Sequence, residues 1–368
     1  MLDMDRRRFL KTSAVAGVAG AAASPLAAPA IAKDRMEWRM VTTWPKNFPG
    51  LGTAAELLAQ LIGKGTDGRL TVKVFGAGEI VPAFEVLDAV AGGTVEMGHG
   101  ASYYWKGKMA ALQFLTTFPF GLTAQEQNAW FAFGGGQQLA DELYRPFGCR
   151  SFPCGNTGAQ MGGWFNKEIA SLEDLKGLKM RIPGLGGEVV KAAGGNVVNL
   201  PGAEIPPALQ SGAIDAAEWV GPYNDLAFGL YKSARFYYYP GWHEPGSTLD
   251  SYVNLAAWEK LPADIKAIVE AANGAVNQAM LSEFNARNGA SLRTLTEQHG
   301  VVLKAFPDPV LAGLGSLSEQ VLADLAAADP QSRKVMDSLL EFRKQAAGWT
   351  RLSDQAFTEA RALTSWKN

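Results

Sequence analysis

The chain has 368 residues, 47% hydrophobic and 19% charged, with 34 Lys and Arg against 36 Asp and Glu and a formal net charge of −2. That is too long for one average domain, and the composition suits a soluble globular protein with two lobes or one heavily elaborated domain. No basic stripe or arginine-rich arm is present, so nucleic acid is not an expected partner.

In chain order, residues 1–32 come first and read as an export signal. Asp5-Arg6-Arg7-Arg8-Phe9-Leu10-Lys11 carries paired arginines, a short Ala- and Gly-rich run extends from Thr12 to Ala23, and Ala30-Ile31-Ala32 supplies small residues for cleavage. Twin-arginine export, cleavage after Ala32 and a periplasmic mature protein are expected, with an uncleaved anchor as the alternative. No later stretch sustains the roughly 18 apolar residues of a membrane span.

The mature chain then alternates. Glu37–Thr43 reads as a strand, Thr53–Lys64 as a helix closed by Gly65, Leu70–Phe75 as a strand, and Pro82–Val90 as a helix. Val95–His99 is a third strand leading into Tyr103-Tyr104-Trp105. Such a β-α-β-α-β order signals a parallel sheet covered by helices. A second α/β unit follows: one helix over Thr123–Tyr144, a strand pair around Cys149–Phe165, a strand Leu178–Ile182, and a short helix Gly187–Ala193. It continues with a strand Asn196–Leu200, a helix Glu204–Gln210 and a strand Ala213–Trp219. The remainder reads as mostly helical, with a long run Pro262–His299, a strand Val301–Phe306, two helices to Ala347 and a tail helix from Ser353. Cys149 and Cys154 flank an extended run spanning about 16 Å, too far for the roughly 4.4–6.8 Å of a disulfide, so two free buried thiols are expected.

The stretch Cys154–Gly187 holds polar residues where a plain core strand would not: Gln160 between Ala159 and Met161, and Arg181 between Met180 and Ile182. An arginine that ends an apolar strand before Pro183-Gly184 suits an anion. The other reading is a half-exposed strand with Lys179 and Arg181 on its solvent side. Glu218, beside Trp219 at a strand end, and Glu244, between turn residues, are further candidates. With Gln160 they form either an ion-pair network or an oxygen-ligand site for a hard cation, and solvated acids are the plainer alternative. Enzyme signatures are missing: His99, His243 and His299 lie far apart, and no zinc helix or nucleophile elbow occurs. Gly184-Leu185-Gly186 lacks the third glycine of a dinucleotide fingerprint and instead reads as room for a ligand or helix to come close.

The run Met180-Arg181-Ile182-Pro183, with the export signal and two α/β units, resembles the solute-binding proteins of TRAP transporters, the DctP-type family. The strings Gly155–Phe165, Ala217–Pro222 and Tyr237–Glu244 resemble the branch that binds 2-oxo acids or lactate. The resemblance implies a two-lobed α/β periplasmic binding protein fold of type II-like form, with a hinge and long C-terminal helices. Lobe I would span 33–158 plus about 247–285, lobe II 159–246 plus about 286–330, and helices 331–368 would follow. It implies no catalysis but capture of a small 2-oxo or 2-hydroxy monocarboxylate with bound Na⁺ or Ca²⁺, for delivery to membrane permease subunits. Arg181 would clamp the carboxylate, and Gln160, Glu218, the Trp219 carbonyl and Glu244 would hold the cation. Asn156, Tyr103 and Tyr104 would touch the ligand or wall the cleft, with Trp44 and Phe118 reading its tail. Gln160 and Arg181 are expected on adjacent strands of lobe II. The tail, Ser353–Trp366, would either pair two copies as a homodimer or fold back on its own domain. A metal-independent binder of dicarboxylates or sugar acids and an exported oxidoreductase are the competing readings.

Overall fold

The computed structural model describes residues 35–364, so the export signal, its cleavage site and Trp366 lie outside the described residues. One compact unit begins at Met36, and everything below concerns it. Eleven strands are present among the described residues: β1 Met36–Thr42, β2 Leu70–Phe75, β3 Met97–Gly100, β4 Cys149–Asn156, β5 Gly163–Phe165, β6 Lys179–Arg181, β7 Asn196–Val198, β8 Ala216–Ala217, β9 Phe236–Tyr239, β10 Thr248–Asn254 and β11 Val302–Ala305. They form two sheets, ordered β2-β1-β3-β10-β4 and β11-β9-β5-β8-β6-β7. In the first, β1 runs parallel to β2 and β3, and β10 is antiparallel to β3 and β4. In the second, β6 is parallel to β7 and β8, while β5 runs antiparallel to β8 and β9. This is the two-lobed α/β architecture expected.

The chain passes between the sheets three times: over residues 157–162, over 240–247, and along the 31-residue helix Ala263–Arg293. The first two segments run side by side. Thr157 N–H donates to Ser247 O at 3.1 Å, Gln160 N–H to Glu244 O at 3.1 Å, and Gly241 N–H to Gln160 O at 2.9 Å. A Cβ on Gly241 would lie 2.3 Å from the Gln160 carbonyl oxygen, so the approach requires glycine.

Several expectations need correction. The helix expected over Thr123–Tyr144 is two, Ala124–Phe133 and Gly136–Tyr144, because Gly135 takes a left-handed φ of 86° that no helix interior allows. The first starts where Thr123 and Glu126 form a capping box. The strand expected over Ala213–Trp219 shrinks to Ala216–Ala217, since Glu218 and Trp219 leave the ladder to enter the cleft. Gln160 lies on a crossing segment, not a strand, and β8 stands between β5 and β6, so Gln160 and Arg181 do not come from adjacent strands. Several elements went unread, among them β9, β10 and the helix Pro222–Phe228. Strand β10 is buried on both faces through Val253, which erases the alternation that reveals a half-buried strand.

Helix Asp308–Ala328 is long and apolar enough to cross a membrane by length and composition alone. Its buried residues Val310, Leu314, Ser318, Leu322 and Ala326 make one stripe at four-residue spacing, packed on Gly184–Ala192 and Pro330–Thr350. Cys149 and Cys154 are both free and buried.

Candidate functional site

Parallel strands β6 and β8 end side by side, Arg181 opposite Ala217. Their carboxyl ends therefore present Arg181 and Glu218 to the space between the lobes, the usual position for a ligand in an open α/β sheet. The paired crossing segments add Gln160 from one side and His243 and Glu244 from the other. From the first lobe, the loops after β1 and β3 bring Trp44, Tyr103 and Tyr104.

Arg181 is 1% exposed, which removes the reading of a solvent-facing strand; Lys179 alone is exposed. Its guanidinium is locked in place: Nε donates to Leu200 O at 3.1 Å and Nη1 to the Glu218 backbone carbonyl at 2.6 Å. The group lies 5.2 Å from the Trp219 ring, a cation–π contact. Nη2 is buried without a hydrogen-bond partner among the described residues. Glu218 is fully buried, and neither carboxyl oxygen has a hydrogen-bond partner among the described residues. Its oxygens lie 3.5 Å from the Arg181 Nη1 cation and 3.5 Å from His243 Nε2, both too long for a firm hydrogen bond.

Gln160 Nε2 donates to Glu244 Oε2 at 2.8 Å, Thr157 Oγ1 at 3.0 Å and Ser247 Oγ at 3.2 Å. With the amide nitrogen so committed, Oε1 is the free end, buried and unpartnered. Ser247 Oγ also donates to Glu244 Oε2. One donor atom each from Glu218, His243 and Glu244 fall within 4.8 Å of one another, all buried. Burial pushes the Glu218 carboxyl up to about 7, with Arg181 pulling it back. Burial also pushes Glu244 up to about 7, reinforced by the Glu218 charge. His243 is driven down to about 4 by burial, and so stays a neutral imidazole at neutral pH. The site thus concentrates carboxyl and amide oxygens, and their donor set fits a hard cation.

The first lobe closes over this pole. Trp44 meets Trp219 edge-on at 6.2 Å, and Phe48 stacks on Phe228 at 4.2 Å. Lys106 and Glu188 join the lobes through a 2.6 Å ion pair. Tyr103 is buried and Tyr104 half-buried. Burial raises both phenols, and the charges of Arg181 and Glu244 act on each. Gly184, at a φ of 58°, carries no Cβ where Tyr103 packs, and a Cβ on Gly186 would meet His243 Cβ at 2.8 Å. These glycines give room, as the sequence suggests.

Two further expected site residues are engaged within the protein itself. Asn156 is buried, but its Oδ1 accepts from Gly158 N–H at 2.8 Å and its Nδ2 donates to Thr248 Oγ1 at 3.3 Å. It braces the start of the crossing. Phe118 is buried in the hydrophobic cluster that also holds Leu115 and Leu122, and that cluster reaches Leu185 of the second lobe and Tyr104. Two residues were missed. His243 lies beside Glu244 in the quoted string, and that adjacency was the available signal. Asp225 gave none: its Oδ2 accepts from Trp164 Nε1 at 2.9 Å and Tyr237 Oη at 2.6 Å, and its Oδ1 from the Val220 and Gly221 N–H groups. It fixes the turn that carries Trp219.

Comparisons with known proteins show the family. A model of bacterial extracellular solute-binding protein, family 7, matches residues 40–329. The monocarboxylate 2-oxoacid-binding periplasmic protein of Nostoc sp. (strain PCC 7120) is 46% identical over 358 residues, 96% of this chain and 98% of that protein. A TRAP periplasmic solute binding protein from Pseudoalteromonas atlantica T6c, with bound sodium and pyruvate, has a TM-score of 0.87 at 43% identity, covering 90% of this chain and 100% of that one. A TRAP transporter solute binding protein from Bordetella bronchiseptica RB50 has a TM-score of 0.87 at 40% identity, over 89% and 97% of the two chains. It is a mixed occupancy dimer with copurified calcium and picolinate in a bound active site versus an apo site.

Proposed function

The chain belongs to the bacterial extracellular solute-binding proteins of family 7, and from that membership we propose that it captures a small 2-oxo or 2-hydroxy monocarboxylate together with Na⁺ or Ca²⁺. Pyruvate, a branched 2-oxo acid or lactate fits this class, and the cargo passes to the membrane permease subunits of a TRAP transporter. One observation carries the reading: Arg181 Nη2, Gln160 Oε1 and both Glu218 oxygens are buried and have no hydrogen-bond partners among the described residues. Leaving such groups unpaired costs roughly 1–3 kcal/mol each, more for charged ones, so their pairing by a ligand is strongly favourable.

The roles follow from the geometry. Arg181 cannot swing, since two of its nitrogens are anchored to carbonyls, and the remaining one is set to donate to a carboxylate. Gln160 Oε1, Glu218, Glu244 and the Trp219 carbonyl would hold the cation, which supplies positive charge between two buried carboxyls. Pyruvate and picolinate, the ligands of the two similar proteins, both carry a second donor atom on the carbon next to the carboxylate, and so offer an anion and a chelate at once. Tyr103, Tyr104 and Trp44 would bound the tail of the cargo, and Asn156 would support the site from the crossing. Closure of lobe I (33–158 plus about 247–285) on lobe II (159–246 plus about 286–330) would exclude water and present the closed form to the permease. No chemical step is assigned.

Twin-arginine export with cleavage after Ala32 completes the proposal for the periplasm. The C-terminal helices, residues 331–368, would pair two copies; exposed Trp349, Leu352, Phe357 and Leu363 support that surface. The test is mass spectrometry and metal analysis of what purifies with the protein. A 2-oxo or 2-hydroxy acid with sodium or calcium is expected. A metal-free dicarboxylate or sugar acid would refute the cation, and a flavin or haem absorbance band would refute the receptor reading.

A further inference from the structure

We infer that His99 is a positioning residue for ligand selectivity: from behind the first lobe's wall it fixes the indole of Trp44, and Trp44 sets the size of the tail the cleft accepts. The inference rests on the proposed capture of a 2-oxo acid. Strand β1 ends at Thr42, and the turn beyond it is pinned twice, by Thr42 Oγ1 donating to Trp44 O at 2.9 Å and by Trp44 N–H donating to Thr42 Oγ1 at 3.3 Å. Strand β3 lies beside β1, with His99 opposite Thr42. From there the imidazole reaches the indole: Trp44 Nε1–H donates to His99 Nδ1 at 2.8 Å. His99 Nε2 stands 3.2 Å from Cys154 O on β4. An accepting Nδ1 places the ring proton on Nε2, which then donates to that carbonyl. The tautomer is thus set by two partners, one in the turn after β1 and one on β4, and burial, which holds His99 at about 4, keeps the ring neutral.

The indole so fixed reaches the site. Trp44 contacts Tyr104 at 6.1 Å and Trp219 at 6.2 Å, and Trp219 lies 5.2 Å from the Arg181 guanidinium. The tail of a carboxylate clamped by Arg181 therefore extends toward an aromatic wall whose first-lobe member cannot rotate without breaking a buried hydrogen bond. A wall held rigidly discriminates by size; a wall free to turn accommodates.

Three variants test this: His99→Gln, which keeps an acceptor and a donor; His99→Leu, which keeps bulk and removes both; and Trp44→Phe, which leaves His99 in place without its donor. Calorimetry with pyruvate and with 4-methyl-2-oxopentanoate, at saturating calcium, reads the ratio of the two affinities. His99→Leu and Trp44→Phe should each shift that ratio by roughly tenfold, the discrimination a single methylene commands in an apolar pocket. His99→Gln should stay within about threefold of the parent, as expected when both hydrogen bonds are kept. A folded Trp44→Phe or His99→Leu protein with the parental ratio overturns the inference. So does His99→Gln matching His99→Leu. A parent protein that binds neither acid overturns the 2-oxo acid capture on which the inference rests, a separate and recognisable failure.

Discussion

Two tryptophans face each other across the cleft and are treated differently. Trp44, in the first lobe, has its indole nitrogen tied to His99 at 2.8 Å, whereas Trp219, in the second, has a buried indole nitrogen with no partner among the described residues. Their surroundings differ in the same way. Among the described residues, both ring nitrogens of His99 have hydrogen-bond partners, whereas those of His243, Gln160 Oε1, Arg181 Nη2 and the two oxygens of Glu218 have none. The first lobe supplies a wall whose key ring is finished before any ligand arrives. The second supplies a pole in which Arg181 is oriented by backbone carbonyls and Gln160 by side-chain partners, with their remaining polar atoms left open. Buried polar groups without partners are rare in native proteins, and a cluster of them marks where binding free energy is to be gained.

Removing the anchor of the pole should have the largest effect. Arg181→Ala leaves Glu218 buried beside no positive charge, and calorimetry should show carboxylate affinity lowered by about 2–5 kcal/mol, roughly 30- to 4,000-fold. Near-parental affinity would move the clamp elsewhere. Next, Glu218→Gln keeps shape but removes one charge from the cation's shell, so calcium affinity measured in the presence of pyruvate should drop at least roughly tenfold. An unchanged value would remove Glu218 from that shell. On the first-lobe side, Asp250 lies buried beneath the wall, accepting from Ser102 Oγ and pushed by burial to about 7. Its folded-state value is above the unfolded one, so its contribution to stability is complete below about pH 4 and lost as pH rises through 7. Asp250→Asn should therefore flatten the fall of stability between pH 5 and 7 by up to about 1.4 kcal/mol per pH unit. Denaturant titrations that give parallel curves for both proteins would contradict the shift. The smallest effect belongs to Phe118→Leu. Made inside that hydrophobic cluster, it should cost about 1 kcal/mol of stability and leave the pyruvate preference unchanged. A changed preference would place Phe118 on the cleft wall.

Much of this was legible in the sequence, for identifiable reasons. The strands of the first lobe alternate or end at glycines, so β1, β2 and β3 could be bounded to within a residue or two. Arg181, Gln160, Glu218 and Glu244 stood out as polar residues in apolar strings, and the structure gathers all of them at one place. What stayed hidden was relational. That β8 inserts between β5 and β6 is a matter of sheet order, which local pattern does not encode. Strand β10 lacks alternation because both of its faces are covered. His99 and Asp225 act through partners 55 and 61 residues away, and neither has a neighbour in sequence that announces the pairing. Asn156 looked like a ligand contact because it sits in the right string, yet its amide is consumed by the turn it begins.

The central claim is that the open pole of the second lobe binds its carboxylate and a cation as one unit. Titration of pyruvate into chelator-treated protein in sodium-free buffer, with and without added calcium or sodium, tests it most directly. The account predicts binding with the cation present and affinity at least roughly tenfold weaker without it, because Glu218 and Glu244 would otherwise face the anion unscreened. Equal affinity under both conditions would contradict it.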